Sequence, residues 1–196
     1  MDGERFGCIE HAVVCKPDGE AIFDRALVFE GPHVITVAWG FDPSSGEPML
    51  ALVKEARDTV ALPDGKTSVA FWGPPRGFRG HSETPQEAAR REAGEEAGAN
   101  VVLETQYLGD FYVNETCVAS ASPTVLLQLD LDRVGAIRAD RGEKIYKAEF
   151  FPAYEIERMI AAGEHEGALT TSKVLLANYT LWRLYVLNRL GDFAGL

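Results

Sequence analysis

Cysteine is scarce in this chain, basic residues are outnumbered, and no apolar run is long enough to stand alone in a bilayer. Three cysteines, Cys8, Cys15 and Cys117, make an odd set with no zinc-type spacing. They exclude a disulfide framework and a zinc ribbon, and predict a reduced, cytoplasmic setting. The opening MDGERFGCIEH is charged and has no apolar h-region, so no signal peptide is expected. The most apolar late stretch, residues 174–190, is broken by Asn178, Arg183, Asn188 and Arg189, which predicts a packed helix and no membrane span. Lys and Arg number 19 against 30 Asp and Glu, a net charge of -11. That balance argues against a nucleic-acid backbone or an anionic membrane as partner. A small anionic substrate stays compatible, because bound metal ions reverse the local field. His11, His33, His81 and His165 show no ligand spacing and are assigned to no metal.

The chain's 196 residues, 46% hydrophobic and 25% charged, suffice for one well-buried domain. Apolar runs on either side of Lys16-Pro17-Asp18-Gly19 predict a hairpin over residues 8–29. Residues 33–39 alternate as a strand, 41–48 read as a loop, and 49–53 as a short buried strand. Residues 54–67 are polar and read as a loop, with strands expected at 69–72, 101–108, 124–131 and 146–151. Residues 73–77 read as a glycine–proline loop leading into a helix. Two further helices are expected at about 153–162 and 170–190, the second with Leu175, Tyr179, Trp182 and Leu187 among its apolar positions. Trp39, Trp72 and Phe111 are assigned to core packing. Many strands, one helix, more strands and then helices predict α+β, a mixed sheet sandwiched between helices.

The most informative segment is GFRGHSETPQEAARREAGEEAGA, residues 77–99. Thr84 and Glu87 stand at capping-box spacing, Pro85 suits the first helical position, and Gly98 supplies the stop, so a helix is expected over about 85–97. Ala89, Ala93 and Ala97 recur every four residues as a small-residue face. Glu87 and Arg91 are placed for a favourable i,i+4 pair. Glu92, Glu95 and Glu96 are placed unfavourably: Glu92 lies one turn from both Glu95 and Glu96 and repels each by about 0.2–0.5 kcal/mol. Glu95 and Glu96 also meet the negative end of the helix dipole, at about 0.3–1 kcal/mol each. A divalent cation, which prefers oxygen ligands, would reverse that penalty. A solvated acidic face is the ordinary fate of a Glu-Glu pair, but the full spacing is less ordinary. Seven fixed positions coincide by chance in about one chain per million of this length.

Those seven residues, Gly77, Glu83, Arg91, Glu92, Glu95, Glu96 and Gly98, fill every fixed position of the Nudix box, and the segment resembles that family. The box's two aliphatic positions hold Ala93 and Ala99, smaller than is usual there. The resemblance implies a Nudix-like α/β/α sandwich over residues 32–196, preceded by a small strand-rich segment over 1–31. It implies Mg2+- or Mn2+-dependent hydrolysis of a nucleoside diphosphate linked to another moiety, a small-molecule nucleotide substrate. Glu92, Glu95 and Glu96 would be the metal ligands and catalytic carboxylates. Glu83, Arg91 and Gly98 would hold the loop–helix geometry, and Gly77 would pass its backbone close to metal and phosphate.

Residues 17–37 resemble the N-terminal region of ADP-ribose pyrophosphatase-type members, where such a segment supports a homodimer. Residues 49–57 resemble that group's strand ending in Gln-Tyr-Arg, with Arg57 at the arginine, and residues 159–173 its closing pattern. The resemblance implies cleavage of ADP-ribose to AMP and ribose 5-phosphate, with other nucleotide sugars or dinucleotides, and a non-catalytic nucleotide-binding module, as alternatives. The chain departs from the group at Gly73-Pro74-Pro75, where the group has Glu-Leu-Pro. It also departs at Val113, Asn114 and Glu115, where a proline is expected. Arg76 and Arg79 flank the start of the box and are candidate phosphate contacts. Glu143 is the candidate general base, ahead of Glu115 and Glu149.

Overall fold

In the computed structural model, residues 7–57, 69–112, 121–138 and 144–193 are described. Among them, β1 (Gly7–Cys15) and β2 (Ala21–Glu30) form an antiparallel two-stranded sheet of their own, the hairpin expected from the Lys16–Gly19 turn. Cys15 ends β1 as an exposed free thiol.

The main sheet is mixed. Its central path among the described residues runs β10-β11-β5-β4-β3-β8-β7, where β3 is His33–Phe41, β4 Pro48–Arg57, β5 Val69–Gly73, β7 Val102–Phe111, β8 Ser122–Leu129, β10 Glu164–His165 and β11 Ala168–Leu169. Strand β6 (Arg76–Phe78) pairs with β3, and β9 (Ile145–Pro152) pairs with β4. The β3–β8 and β11–β5 pairs are parallel and the others antiparallel.

The alternation expected for residues 33–39 does not mark a half-buried strand. Seven consecutive residues of β3 from Val34 are buried, because helices cover both of its faces. On one face Val34 and Ala38 pack with Ala51, Val125 and Leu127 beneath Ala88, Ala89, Ala93 and Ala97 of α1 (Pro85–Glu96). On the other, Val37 and Trp39 join Leu50, Leu52 and Trp72 beneath α2 (Ala153–Ala162) and α3 (Lys173–Phe193). From α3 this cluster receives Leu175, Tyr179, Trp182 and Val186. The α+β sandwich expected from the element order is therefore the observed architecture.

Three local readings change. Strand β4 runs on to Arg57 where a loop was expected from residue 54, because β5 and β9 flank it on either side and pair its polar end. The loop expected over residues 73–77 contains the start of β6, which adds to β3 opposite His33, Val34 and Ile35. Phe111 is 38% exposed rather than core. It ends β7 and lines a cavity of about 150 Å³ with Tyr112, Ile35, Thr124 and Asn178.

Candidate active site

Helix α1 starts as its sequence dictates. Thr84 takes extended angles (φ -72, ψ 157), its Oγ1 accepts the N–H of Glu87 at 3.2 Å, and the Glu87 carboxylate accepts the N–H of Thr84 at 2.8 Å. Both orphan donors are thus satisfied. The bond from the Thr84 N–H holds the Glu87 carboxyl below its ordinary value. Glu87 is committed to this cap, so the i,i+4 pair expected with Arg91 is not the arrangement found.

Arg91 instead organises the box. Its Nε and Nη2 donate to the two carboxylate oxygens of Glu83 at 3.0 and 3.1 Å. Its Nη1 donates to Glu92 at 2.7 Å and to Glu95 at 3.0 Å, and Nη2 also donates to the Phe78 carbonyl at 2.7 Å. The planar fork suits such multidentate binding. One guanidinium therefore sits between two carboxylates whose mutual repulsion was the sequence's oddity. The Arg91 bonds to Glu83 push the Glu83 carboxyl below its ordinary range, and Gly80 N–H adds to this at 2.9 Å. The same pair raises the Arg91 guanidinium further above its already high value.

Glu92 and Glu96 lie on the buried side of α1, each 2% exposed. Gly77 explains how Glu92 fits: a Cβ built on Gly77 would overlap the Glu92 carboxylate. Only glycine lets the β6 backbone approach so closely. Glu96 accepts the backbone N–H of Arg76 at 2.9 Å. At the end of the helix Gly98 takes φ +67, and a Cβ there would meet the Gly135 carbonyl. Gly135 N–H returns a bond to Gly98 O at 2.8 Å, and Arg138 N–H donates to Glu95 O at 2.6 Å, tying the following loop to the helix.

The Arg76 side chain donates from Nη2 to Glu55 at 3.1 Å. Glu55, on β4, is 8% exposed. Sequence pattern alone does not single it out, because residues 54–67 are polar and loop-like, yet β4 extends through Arg57. The available signal was a carboxylate in register with the apolar residues Ala51 and Val53 that precede it in the same strand.

Arg79 follows β6, and its N–H bonds Pro32 O at 2.8 Å. Its buried Nε has no hydrogen-bond partner among the described residues. Arg57 ends β4 opposite Val69. Glu149, on β9, is paired with Lys147 at 2.6 Å. Glu143 and Glu115 lie outside the described residues. The structure thus brings together Gly77, Glu83, Arg91, Glu92, Glu95, Glu96 and Arg76, and adds Glu55.

Among the described residues no three acidic, histidine or cysteine side chains converge closely enough to share one ion. The chemistry of the donors, all carboxylate oxygens on one helix, is that of a hard divalent cation's ligands. Also among the described residues, no helix is long and apolar enough to cross a membrane.

Comparison with curated proteins finds no match for this chain. A family model described as the NUDIX domain matches residues 32–170, which exceeds two thirds of the chain and contains the whole box. With that match over a mixed sheet sandwiched by helices, the chain belongs to the NUDIX domain family, a pyrophosphohydrolase family acting on a nucleoside diphosphate linked to another moiety.

Proposed function

We propose that the protein hydrolyses ADP-ribose to AMP and ribose 5-phosphate, with Mg2+ or Mn2+ held by Glu92, Glu95 and Glu96. The observation that carries the catalytic part is the seating of Glu92 and Glu96, two buried carboxylates against a glycine-bearing strand, with Glu95 beside them on Arg91. The likeness of residues 17–37 and 49–57 to ADP-ribose pyrophosphatases supports the substrate. When bound, the metal would neutralise phosphate oxygens and lower the pKa of a bound water.

The chain's own residues do the rest. Arg91 orients Glu92 and Glu95 through Nη1 while it anchors the box loop through Glu83 and the Phe78 carbonyl. Arg76 N–H orients Glu96. Arg79, with one guanidinium N–H unpartnered among the described residues, is a phosphate contact. Arg57, at the end of β4, is a second candidate contact to phosphate or ribose, and Glu143 is the candidate general base. The strand pair β1–β2 is the proposed dimerisation element.

The test is a panel of ADP-ribose, other nucleotide sugars, dinucleotides and nucleoside triphosphates, each with Mg2+ and with Mn2+, read by product identification. AMP and ribose 5-phosphate from ADP-ribose are expected. Preference for another nucleotide sugar would move the substrate and leave the reaction. If every compound stays intact, the catalytic reading fails. Tight calorimetric binding without turnover would then point to a nucleotide-binding module.

A further inference from the structure

We propose that Glu55, outside the box, is a positioning residue that sets the box geometry through Arg76. The proposal rests on the reading that Glu96 acts in the site. Arg76 is held at both ends. Its guanidinium is anchored on β4 by Glu55 at 3.1 Å, and its backbone N–H is anchored on α1 by Glu96 at 2.9 Å. It opens β6, a three-residue strand that pairs with β3. So short a strand has few ladder bonds to fix its place, and the two carboxylates grip it from opposite partners. The next residue is Gly77, whose backbone lies against the Glu92 carboxylate. A shift of Arg76 therefore moves the donor that orients Glu96 and the wall that seats Glu92.

The burial of Glu55 points the same way. A carboxylate out of water is costly unless it is paired and hydrogen-bonded. An apolar pair of similar volume is often as stable or more so, so stability alone does not account for an ion pair between Glu55 and Arg76. What an apolar pair would not supply is direction. The bond to Glu55 fixes the Arg76 side chain, and with it the main-chain N–H that faces Glu96. Partners one step behind a metal ligand commonly change metal affinity or activity about 10–100-fold when removed. Arg76 holds that place behind Glu96 and Glu55 stands one step further back, so the low end of that range is expected.

The test uses the full chain and two readouts, hydrogen exchange of the residue 76 amide in metal-free protein and Mn2+ affinity by calorimetry. In Glu55→Gln the residue 76 amide should exchange about tenfold faster while the β3 amides of Val37 and Trp39 keep their protection. Mn2+ affinity should fall about tenfold. Arg76→Ala keeps the N–H and removes the guanidinium. It should give the same changes, with Glu55→Gln adding nothing further in that background. A purely structural role would lower the melting temperature and leave both readouts in place. Should the single variants fail to fold, the paired Glu55→Leu, Arg76→Leu variant removes both charges together. It is expected to fold, with fast exchange at residue 76 and weakened Mn2+ binding. Unchanged exchange and affinity in any folded variant, or additive effects in the double variant, overturn the proposal. The exchange readout needs neither metal nor substrate, so it stands even if the substrate panel shows no turnover.

Discussion

The two faces of the main sheet are built from different material. Under α1 the contact is made by alanines, Ala88, Ala89, Ala93 and Ala97, over Val34, Ala38, Ala51 and Val125. Under α2 and α3 it is made by Trp39, Trp72, Trp182, Tyr179, Leu and Met side chains. Trp72 meets Phe151 edge-on, with ring centroids 5.3 Å apart at 90°. Large rings give more buried area per residue, so the second face supplies more of the hydrophobic stabilisation. The alanine face trades area for proximity. Small side chains let α1 settle close to the sheet, and that closeness brings Glu92 onto Gly77 and Glu96 onto the Arg76 N–H. One face gives close approach between helix and strand, and the other gives buried area.

Substitutions on each face break or sharpen this contrast. The largest effect is expected from Glu96→Gln. It should lower kcat by three to four orders of magnitude, roughly 4–5 kcal/mol of barrier, with little change in melting temperature. Steady-state kinetics alongside calorimetric unfolding would check it, and full activity would remove Glu96 from the site. On the opposite face, Trp182→Ala should cost about 3–4 kcal/mol of stability while the remaining folded protein keeps its turnover. The indole N–H of Trp182 is buried without a hydrogen-bond partner among the described residues, so its loss partly offsets the cavity. Denaturant titration measures this, and a matching fall in kcat would show the faces are not separable.

Ala93→Leu tests proximity itself. Overpacking should cost about 1–3 kcal/mol and, by lifting α1 from the sheet, also reduce activity. A stability loss with unchanged kcat would sever closeness from function. Thr84→Ala should cost about 1 kcal/mol by leaving donors of α1 uncapped, with a smaller effect on rate.

The smallest effect concerns pH. The Glu83 carboxyl is depressed below its ordinary 4.5 by Arg91. A depressed carboxyl stabilises the fold fully above its unfolded value and loses that contribution as pH falls through the folded value. The stability difference between the natural chain and Glu83→Gln should therefore be constant near neutrality and shrink on acidification below about 4.5. Urea midpoints measured across that range decide it. A difference that stays constant to low pH would mean Arg91 does not hold Glu83 as an ion.

The parts legible from the chain were those set by local rules. Thr84, Pro85, Glu87 and Gly98 announced α1 within a residue at each end, because caps and left-handed stops are short-range geometry. The hairpin over Lys16–Gly19 was legible for the same reason. Residues 54–57 were not, because a polar stretch becomes strand only when β5 and β9 are there to pair it. The short β6 was hidden by the two prolines before it, and its partner β3 lies far back in the chain. The Glu87–Arg91 pair was expected from spacing alone. It lost to two competitors, a backbone N–H for Glu87 and a second carboxylate for Arg91.

By itself, the sequence determined which side chains gather on α1, where that helix starts and stops, and the family to which the chain belongs. Spacing, capping chemistry and glycine positions are all written in consecutive residues. Only the tertiary structure decided which partner each carboxylate takes. Glu92 lies against Gly77, Glu96 is held by Arg76, and Arg76 by Glu55 on β4, a strand the box does not contain. Hydrogen bonds across strands depend on register and close approach, and no local pattern encodes either one.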